Sequence, residues 1–198
     1  MKSLVDHVRS DAEHYPGESA FAFLRDDPAE ETLTRAELWD RVSRASAEIR
    51  SFASAGDRAL IAYPPGFDFI VALLGCMHAG VVAVPVYPPT VSQKLERLES
   101  LVADSNPALA IGDTNVSKIV ANPILSERLR QLRWIQADGT SARSAEQTVS
   151  NPNSLALLQY TSGSTGRPKG VMITNANLMA NAQAIGSQFE ASSVVSPI

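Results

Sequence analysis

The run Tyr160-Thr161-Ser162-Gly163-Ser164-Thr165-Gly166-Arg167-Pro168-Lys169-Gly170 puts hydroxyls, glycines and one lysine between two apolar stretches. That mixture suits the holding of a polyphosphate. Glycine lets the backbone turn its N–H groups toward an anion without a Cβ in the way. Serine and threonine hydroxyls add donors, and lysine adds a compact positive charge. The flanking runs Ser154–Tyr160 and Gly170–Ile173 read as two short strands, so the segment between them reads as a loop. A flexible polar linker of the same composition is the plainer reading. Pro168-Lys169-Gly170 and the apolar flanks weigh against it.

The loop fits neither of the two commonest phosphate-binding patterns. A Walker loop requires G-x-x-x-x-G-K-[ST], but here Arg167 and Pro168 stand between Gly166 and Lys169. The dinucleotide pattern G-x-G-x-x-G is absent as well. The stretch Thr161–Gly170 does match T-S-G-S-T-G-x-P-K-G throughout. In this it resembles the phosphate-binding signature of the adenylate-forming enzymes, which include acyl-CoA synthetases, luciferases and nonribosomal peptide adenylation domains. Leu158-Gln159-Tyr160, Tyr63-Pro64-Pro65-Gly66, Gly75–Gly80 and Val82–Pro89 look like the fatty acyl-AMP ligase branch.

The resemblance runs from about Leu4 to about Phe189. It implies a fatty acid and ATP, with Mg2+, as reactants, and an acyl carrier protein as acceptor. It also implies that Thr161, Ser162, Gly163, Ser164, Thr165, Gly166 and Lys169 hold the ATP phosphates, with Lys169 at the β- and γ-phosphates. In that family the loop closes on ATP and orders the pyrophosphate leaving group, so no catalytic residue and no metal ligand is assigned here. A fatty acyl-CoA synthetase is the nearest rival, since it shares the loop. One departure is Thr174-Asn175-Ala176-Asn177-Leu178, where the family commonly has T-H-x-N-L. Asparagine keeps the ability to cap a helix but brings no imidazole.

Composition bounds the rest. With 198 residues, 44% of them hydrophobic, the chain can bury a sizeable core. A net charge of −4 gives no reason to expect nucleic acid or an anionic membrane as partner. One cysteine, Cys76, allows no internal disulfide and fits a reducing cytoplasm. No signal peptide and no apolar run of spanning length stands in the sequence, so stable membrane insertion is not expected.

The elements that must position the loop alternate strand and helix. The pattern gives a helix over Leu4–His14, a strand over Ala20–Leu24 and a polar turn over Arg25–Glu30. A helix follows, opened by a Thr34/Glu37 capping box, with Leu38, Val42, Ala45, Ile49 and Phe52 on one face. Then come a strand at Arg58–Tyr63, an apolar helix at Phe67–Ala79, a strand at Val81–Val86 and a helix at Ser92–Asp104. A strand at Ala108–Ile111, a helix at Val116–Arg130 broken near Pro123, and a strand at Trp134–Ala137 complete the middle. Asp138–Asn153 reads as a surface loop, and Thr174 or Asn175 caps a last helix reaching Gln188. Such alternation predicts an α/β fold, a largely parallel sheet layered with helices. By the resemblance, residues 1–198 form an incomplete N-terminal subdomain of an adenylate-forming enzyme, with 191–198 an irregular tail.

Cys76 and the three histidines read as packing or surface residues, because no metal spacing links them. The proline turns Tyr63–Gly66 and Tyr87–Pro89 read as punctuation at strand ends, where ligands also bind in α/β sheets. The family's ribose-binding aspartate, adenine-facing segment, hinge and C-terminal lysine are not among these 198 residues. The expectation is therefore that the chain alone is inactive or weakly active. A truncated remnant or a non-catalytic binding module is the rival outside enzymology.

Overall fold

A computed structural model describes residues 2–23, 31–88, 93–115, 127–140, 151–161 and 169–188. The Arg25–Glu30 turn, the break near Pro123, most of the Val116–Arg130 helix, most of the Asp138–Asn153 loop and the tail 191–198 lie outside the described residues.

Three strands form the centre. β3 (Arg58–Ile61), β4 (Val82–Pro85) and β5 (Leu109–Ile111) run parallel, with β3 between the other two. Their cores read Ala-Leu-Ile, Val-Ala-Val and Leu-Ala-Ile and are buried throughout, as strands covered on both faces must be. Alternate side chains feed two layers. Ala59, Ile61, Ala83, Leu109 and Ile111 pack toward α2 (Arg35–Arg50) and α3 (Phe67–Ala79). Leu60, Val82, Val84 and Ala110 pack with Leu98 and Val102 of α4 (Gln93–Ser105) and Leu129 of α5 (Glu127–Gln131). The result is the expected sheet with helices on both faces.

β6 (Trp134–Ile135) extends the sheet beside β5, and β7 (Leu155–Thr161) extends it beside β4. β8 (Lys169–Thr174) forms the far edge and is antiparallel to β7, so the full order is β6-β5-β3-β4-β7-β8. β8 is also more open than its apolar sequence suggested, with Val171 49% and Met172 69% exposed. A separate antiparallel pair joins β1 (Ser19–Phe23) to β2 (Glu31–Thr34). β2 was not foreseen, because Glu31-Thr32-Leu33-Thr34 looks polar and only Leu33 is buried.

Local signals account for the helix ends. The foreseen capping box is formed: the Glu37 amide donates to Thr34 Oγ1 at 3.3 Å and the Thr34 amide donates to Glu37 Oε2 at 2.9 Å. Ser3 and Asp6 make the same box on α1 (Leu4–His14). α3 ends at Gly80, whose φ of 74° is open to glycine at little steric cost. Phe52 corrects the helix-face reading. It lies beyond the end of α2, is partly exposed, and carries the Arg133 guanidinium 4.7 Å above its ring. Gly139 corrects the start of the Asp138–Asn153 surface loop, since it is buried.

His78 is buried in the helical layer, its ring edge-on to Trp39 at 5.1 Å and both ring nitrogens without a hydrogen-bond partner. Burial, with Arg50 of α2 and Arg9 of α1 close by, lowers its pKa from 6.5 to about 4; Asp6 opposes this weakly. A histidine that is neutral when folded takes up its proton on unfolding. Its contribution to stability is therefore full above pH 6.5 and falls away as pH drops toward 4. The gap of 6.5 − 4 at 1.36 kcal/mol per unit corresponds to about 3 kcal/mol. Urea unfolding of the wild type and of His78→Phe at pH 7 and pH 4.5 checks this. The wild type should lose more stability than the variant across that step; equal losses would contradict the assignment. Cys76 is buried as well, and burial pushes its thiol pKa up, which leaves it an inert packing residue.

Candidate phosphate-binding site

β7 and β8 form a hairpin whose last register pair is Thr161 with Lys169. The two ends of the candidate loop are thus held side by side, and both residues are exposed. Ser162, Gly163, Ser164, Thr165 and Gly166 lie outside the described residues. Thr161 is the last residue of β7 and Lys169 the first of β8, so Lys169 belongs to a strand and not to the loop as the sequence suggested. Strand pairing restricts the lysine's backbone and leaves its long side chain free to reach past the hairpin end. β8 leads directly into α6 (Asn175–Gln188). Thr174 caps this helix: the Asn177 amide donates to Thr174 Oγ1 at 3.2 Å, and the Thr174 amide donates to Asn177 Oδ1 at 3.0 Å. Asn175, at the family's histidine position, donates through Nδ2 to the Asn151 carbonyl at 3.1 Å.

One pair inward, Tyr160 faces Gly170. A Cβ on Gly170 would stand 3.1 Å from Tyr160 Cζ and 3.3 Å from its Oη, so the glycine is what lets the ring lie against β8. The Tyr160 hydroxyl donates to Asp104 Oδ2 of α4 at 2.5 Å, joining residues 56 positions apart. Burial, then the bond to Asp104 and its charge, push the Tyr160 pKa up to about 12, so the phenol keeps the proton it donates.

The hairpin rises beside a cavity of about 520 Å3. Tyr63 comes from the β3–α3 connection, Phe69 from the first turn of α3, and Tyr87 from the segment after β4. Leu98 and Leu101 of α4 close one side, and Gln159 and Tyr160 of β7 bring the loop's root into the wall. Arg97 is the one cation among the described lining residues. This position has a topological cause. β3 connects through α3 to β4 on one side, while β4 connects through α4 back across β3 to β5 on the other. These connections leave on opposite faces of the sheet, and the cavity opens at the carboxyl ends of β3 and β4 beside β7, the end at which open α/β sheets bind ligands. The proline turns at Tyr63–Gly66 and Tyr87–Pro88 therefore border the cavity as well as ending strands. Arg97 was not singled out in the sequence, and Gln159 stood out only within the Leu158-Gln159-Tyr160 stretch of the resemblance, not as a cavity residue.

Among the described residues, no group of three or more His, Cys, Asp or Glu could hold a metal ion. The hydroxyl of Thr161 and the ammonium of Lys169 instead suit an anion.

Compared with known proteins, residues 8–197 match the family described as AMP-binding enzyme. JamA of Moorena producens, a medium-chain-fatty-acid–[acyl-carrier-protein] ligase, is 32% identical over 90% of this chain and 32% of its own length. FadD21 of Mycobacterium tuberculosis, provisionally named a fatty-acid–CoA ligase, is 34% identical over 94% of this chain and 34% of its own. A fatty acyl-adenylate ligase from L. pneumophila, solved with acyl adenylate and pyrophosphate, superimposes with a TM-score of 0.83 at 34% identity. The match covers 96% of this chain and 33% of that one. The chain thus spans about a third of the length of the relatives it matches.

Proposed function

The chain belongs to the AMP-binding enzyme family, and from that premise we propose that it is the N-terminal, phosphate-holding part of a fatty acyl-AMP ligase. The observation that carries this is the hairpin end. Thr161 and Lys169 close a loop of phosphate-binding sequence beside the cavity at the strands' carboxyl ends, in a chain whose relatives are named for fatty acid activation. Thr161, Ser162, Gly163, Ser164, Thr165, Gly166 and Lys169 hold the β- and γ-phosphates of ATP. Mg2+, when bound, would offset the negative charge of those phosphates.

In the reaction, a carboxylate oxygen of the fatty acid attacks the α-phosphorus of ATP. The bond from the α-phosphorus to the bridging oxygen breaks, and pyrophosphate leaves with the electron pair. The loop restrains that leaving group and spreads its charge over fixed donors, which lowers the barrier without any covalent role for this segment. Residues outside this segment complete the ribose, adenine and carboxylate contacts. The acyl-adenylate then passes to an acyl carrier protein. The chain's setting is the cytoplasm, in keeping with a single buried thiol. Among the described residues no helix is long and apolar enough to cross a membrane.

A second reading, transfer to coenzyme A, is favoured by the similarity to FadD21. The acceptor separates the two. The full-length enzyme should release pyrophosphate only when fatty acid is present and then load a phosphopantetheinylated carrier protein. Transfer to coenzyme A at a matching rate would replace the carrier-protein reading with the synthetase one.

A further inference from the structure

We propose that the hydrogen bond from Tyr160 to Asp104 is a latch that seats the root of the phosphate loop, making Tyr160 and Asp104 positioning residues for ATP binding. The proposal rests on the reading of the Thr161–Lys169 loop as the polyphosphate site. Three independent features of the geometry converge on it.

The first is position. Tyr160 directly precedes Thr161 on β7, so any shift of its backbone moves the loop's first residue. Tyr160 also lines the cavity, which couples the root of the loop to the ligand crevice.

The second is the space made for the ring. Gly170 faces Tyr160 in the register, and a side chain there would crowd the ring at 3.1 Å. Without a Cβ, β8 lets the phenol lie flat against it. Lys169, next to Gly170, then starts the strand from a fixed place. The ring therefore lies one register pair inward from the two ends of the loop.

The third is the anchor. Asp104 lies in the last turn of α4, which is itself tied down at its end. The Ser105 hydroxyl donates to the Leu101 carbonyl at 2.6 Å, and Arg58 of β3 donates to the Ser105 carbonyl at 2.8 Å. The Arg128 side chain of α5 donates to Asn106, the residue that ends the helix with a left-handed φ of 44°. A hydroxyl-to-carboxylate bond onto this anchor is of the stronger, charge-assisted kind. It links the edge hairpin, whose outer strand is open, to the better-packed layer under α4. Such a bond acts before chemistry, on how often the loop is correctly placed, so its loss weakens ground state and transition state alike.

The test uses the full-length enzyme and ATP itself. Tyr160→Phe, which keeps the ring, and Asp104→Ala should each raise KM for ATP by about tenfold or more with kcat nearly unchanged, the size expected from one charge-assisted hydrogen bond. Asp104→Asn keeps an oxygen acceptor and should recover most of the loss. The double variant Tyr160→Phe/Asp104→Ala should be no worse than either single one, because both remove the same bond. An unchanged KM in Tyr160→Phe, or losses that multiply in the double variant, would overturn the latch. A fall in melting temperature with normal KM would do so too, reducing the bond to a structural tie. Lys169→Ala in the same assay keeps the two ideas apart. If Lys169→Ala cripples ATP use and Tyr160→Phe does not, only the latch is lost; if Lys169→Ala is silent, the phosphate-loop reading itself fails.

Discussion

Replacing Lys169 by alanine should lower kcat/KM for ATP about 100-fold in the full-length enzyme, the scale seen when one preorganised donor to developing charge is removed. The reasoning begins with strand pairing. Lys169 is the first residue of β8 and faces Thr161 across the end of the hairpin. Its backbone is held by the sheet, while its side chain is exposed and free to meet an anion. Pyrophosphate gains negative charge as it leaves, so an ammonium at the β- and γ-phosphates stabilises the transition state more than bound ATP. The loss should therefore appear in kcat as well as KM, unlike the loss expected from the latch. Lys169→Arg keeps the charge but spreads it over a planar fork, and should restore activity only in part. The exposed position predicts a stability change within about 0.5 kcal/mol, so unfolding cannot account for the loss. Activity within threefold of wild type would remove Lys169 from the phosphate site.

Gly139→Ala should produce the largest stability loss, about 3 kcal/mol, from strain and overpacking together. Gly139 has a φ of +82° and lies buried against α2. A Cβ there would stand 2.5 Å from Arg41 Cβ, 2.6 Å from Arg41 Cα and 2.6 Å from the Arg41 carbonyl oxygen. Two of those atoms are helix backbone and cannot rotate away. The approach is this close because Arg41 grips the preceding residue. Its Nε and Nη2 donate to the Asp138 carbonyl at 2.9 and 2.6 Å, and Nη2 also meets Asp68 Oδ1 of α3 at 2.6 Å. The segment after β6 is thereby clamped onto both α2 and α3. For a chain of this size the loss corresponds to a fall in melting temperature of roughly 6–12 °C. A fall below about 3 °C would mean that the segment relaxes away from α2 without cost.

The two predictions also mark what could be read from the sequence. α3 was delimited to the residue, because a largely apolar run, with Asp68 and His78 near its ends, stands between Gly66 and Gly80. The Thr34/Glu37 box opened α2 where its side chains said it would. Parallel pairing of β3, β4 and β5 followed from strand–helix alternation. β2 was not legible, since its polar residues pair only with β1 and bury one leucine. Nor was the burial of Gly139, which depends on a helix nearly a hundred positions earlier; nothing near Asp138-Gly139 reports the arginine that waits for it.

The site shows the same division. The loop residues proposed for phosphate stand out by type and spacing alone. Their setting did not. The pairing of Thr161 with Lys169, the glycine that admits the Tyr160 ring and the Asp104 anchor all come from tertiary contacts. Arg97 and Gln159 joined the cavity wall only once β4, β7 and α4 were placed together.

The central claim is that this segment belongs to an enzyme that makes acyl-adenylates. Exchange of labelled pyrophosphate into ATP by the full-length protein, with and without fatty acid, tests it most directly, because exchange requires reversible formation of the adenylate and no acceptor. Exchange that appears only with fatty acid, and is lost in Lys169→Ala, is the predicted result. Absence of exchange across fatty acids of all chain lengths, in protein shown to be folded, would contradict the account.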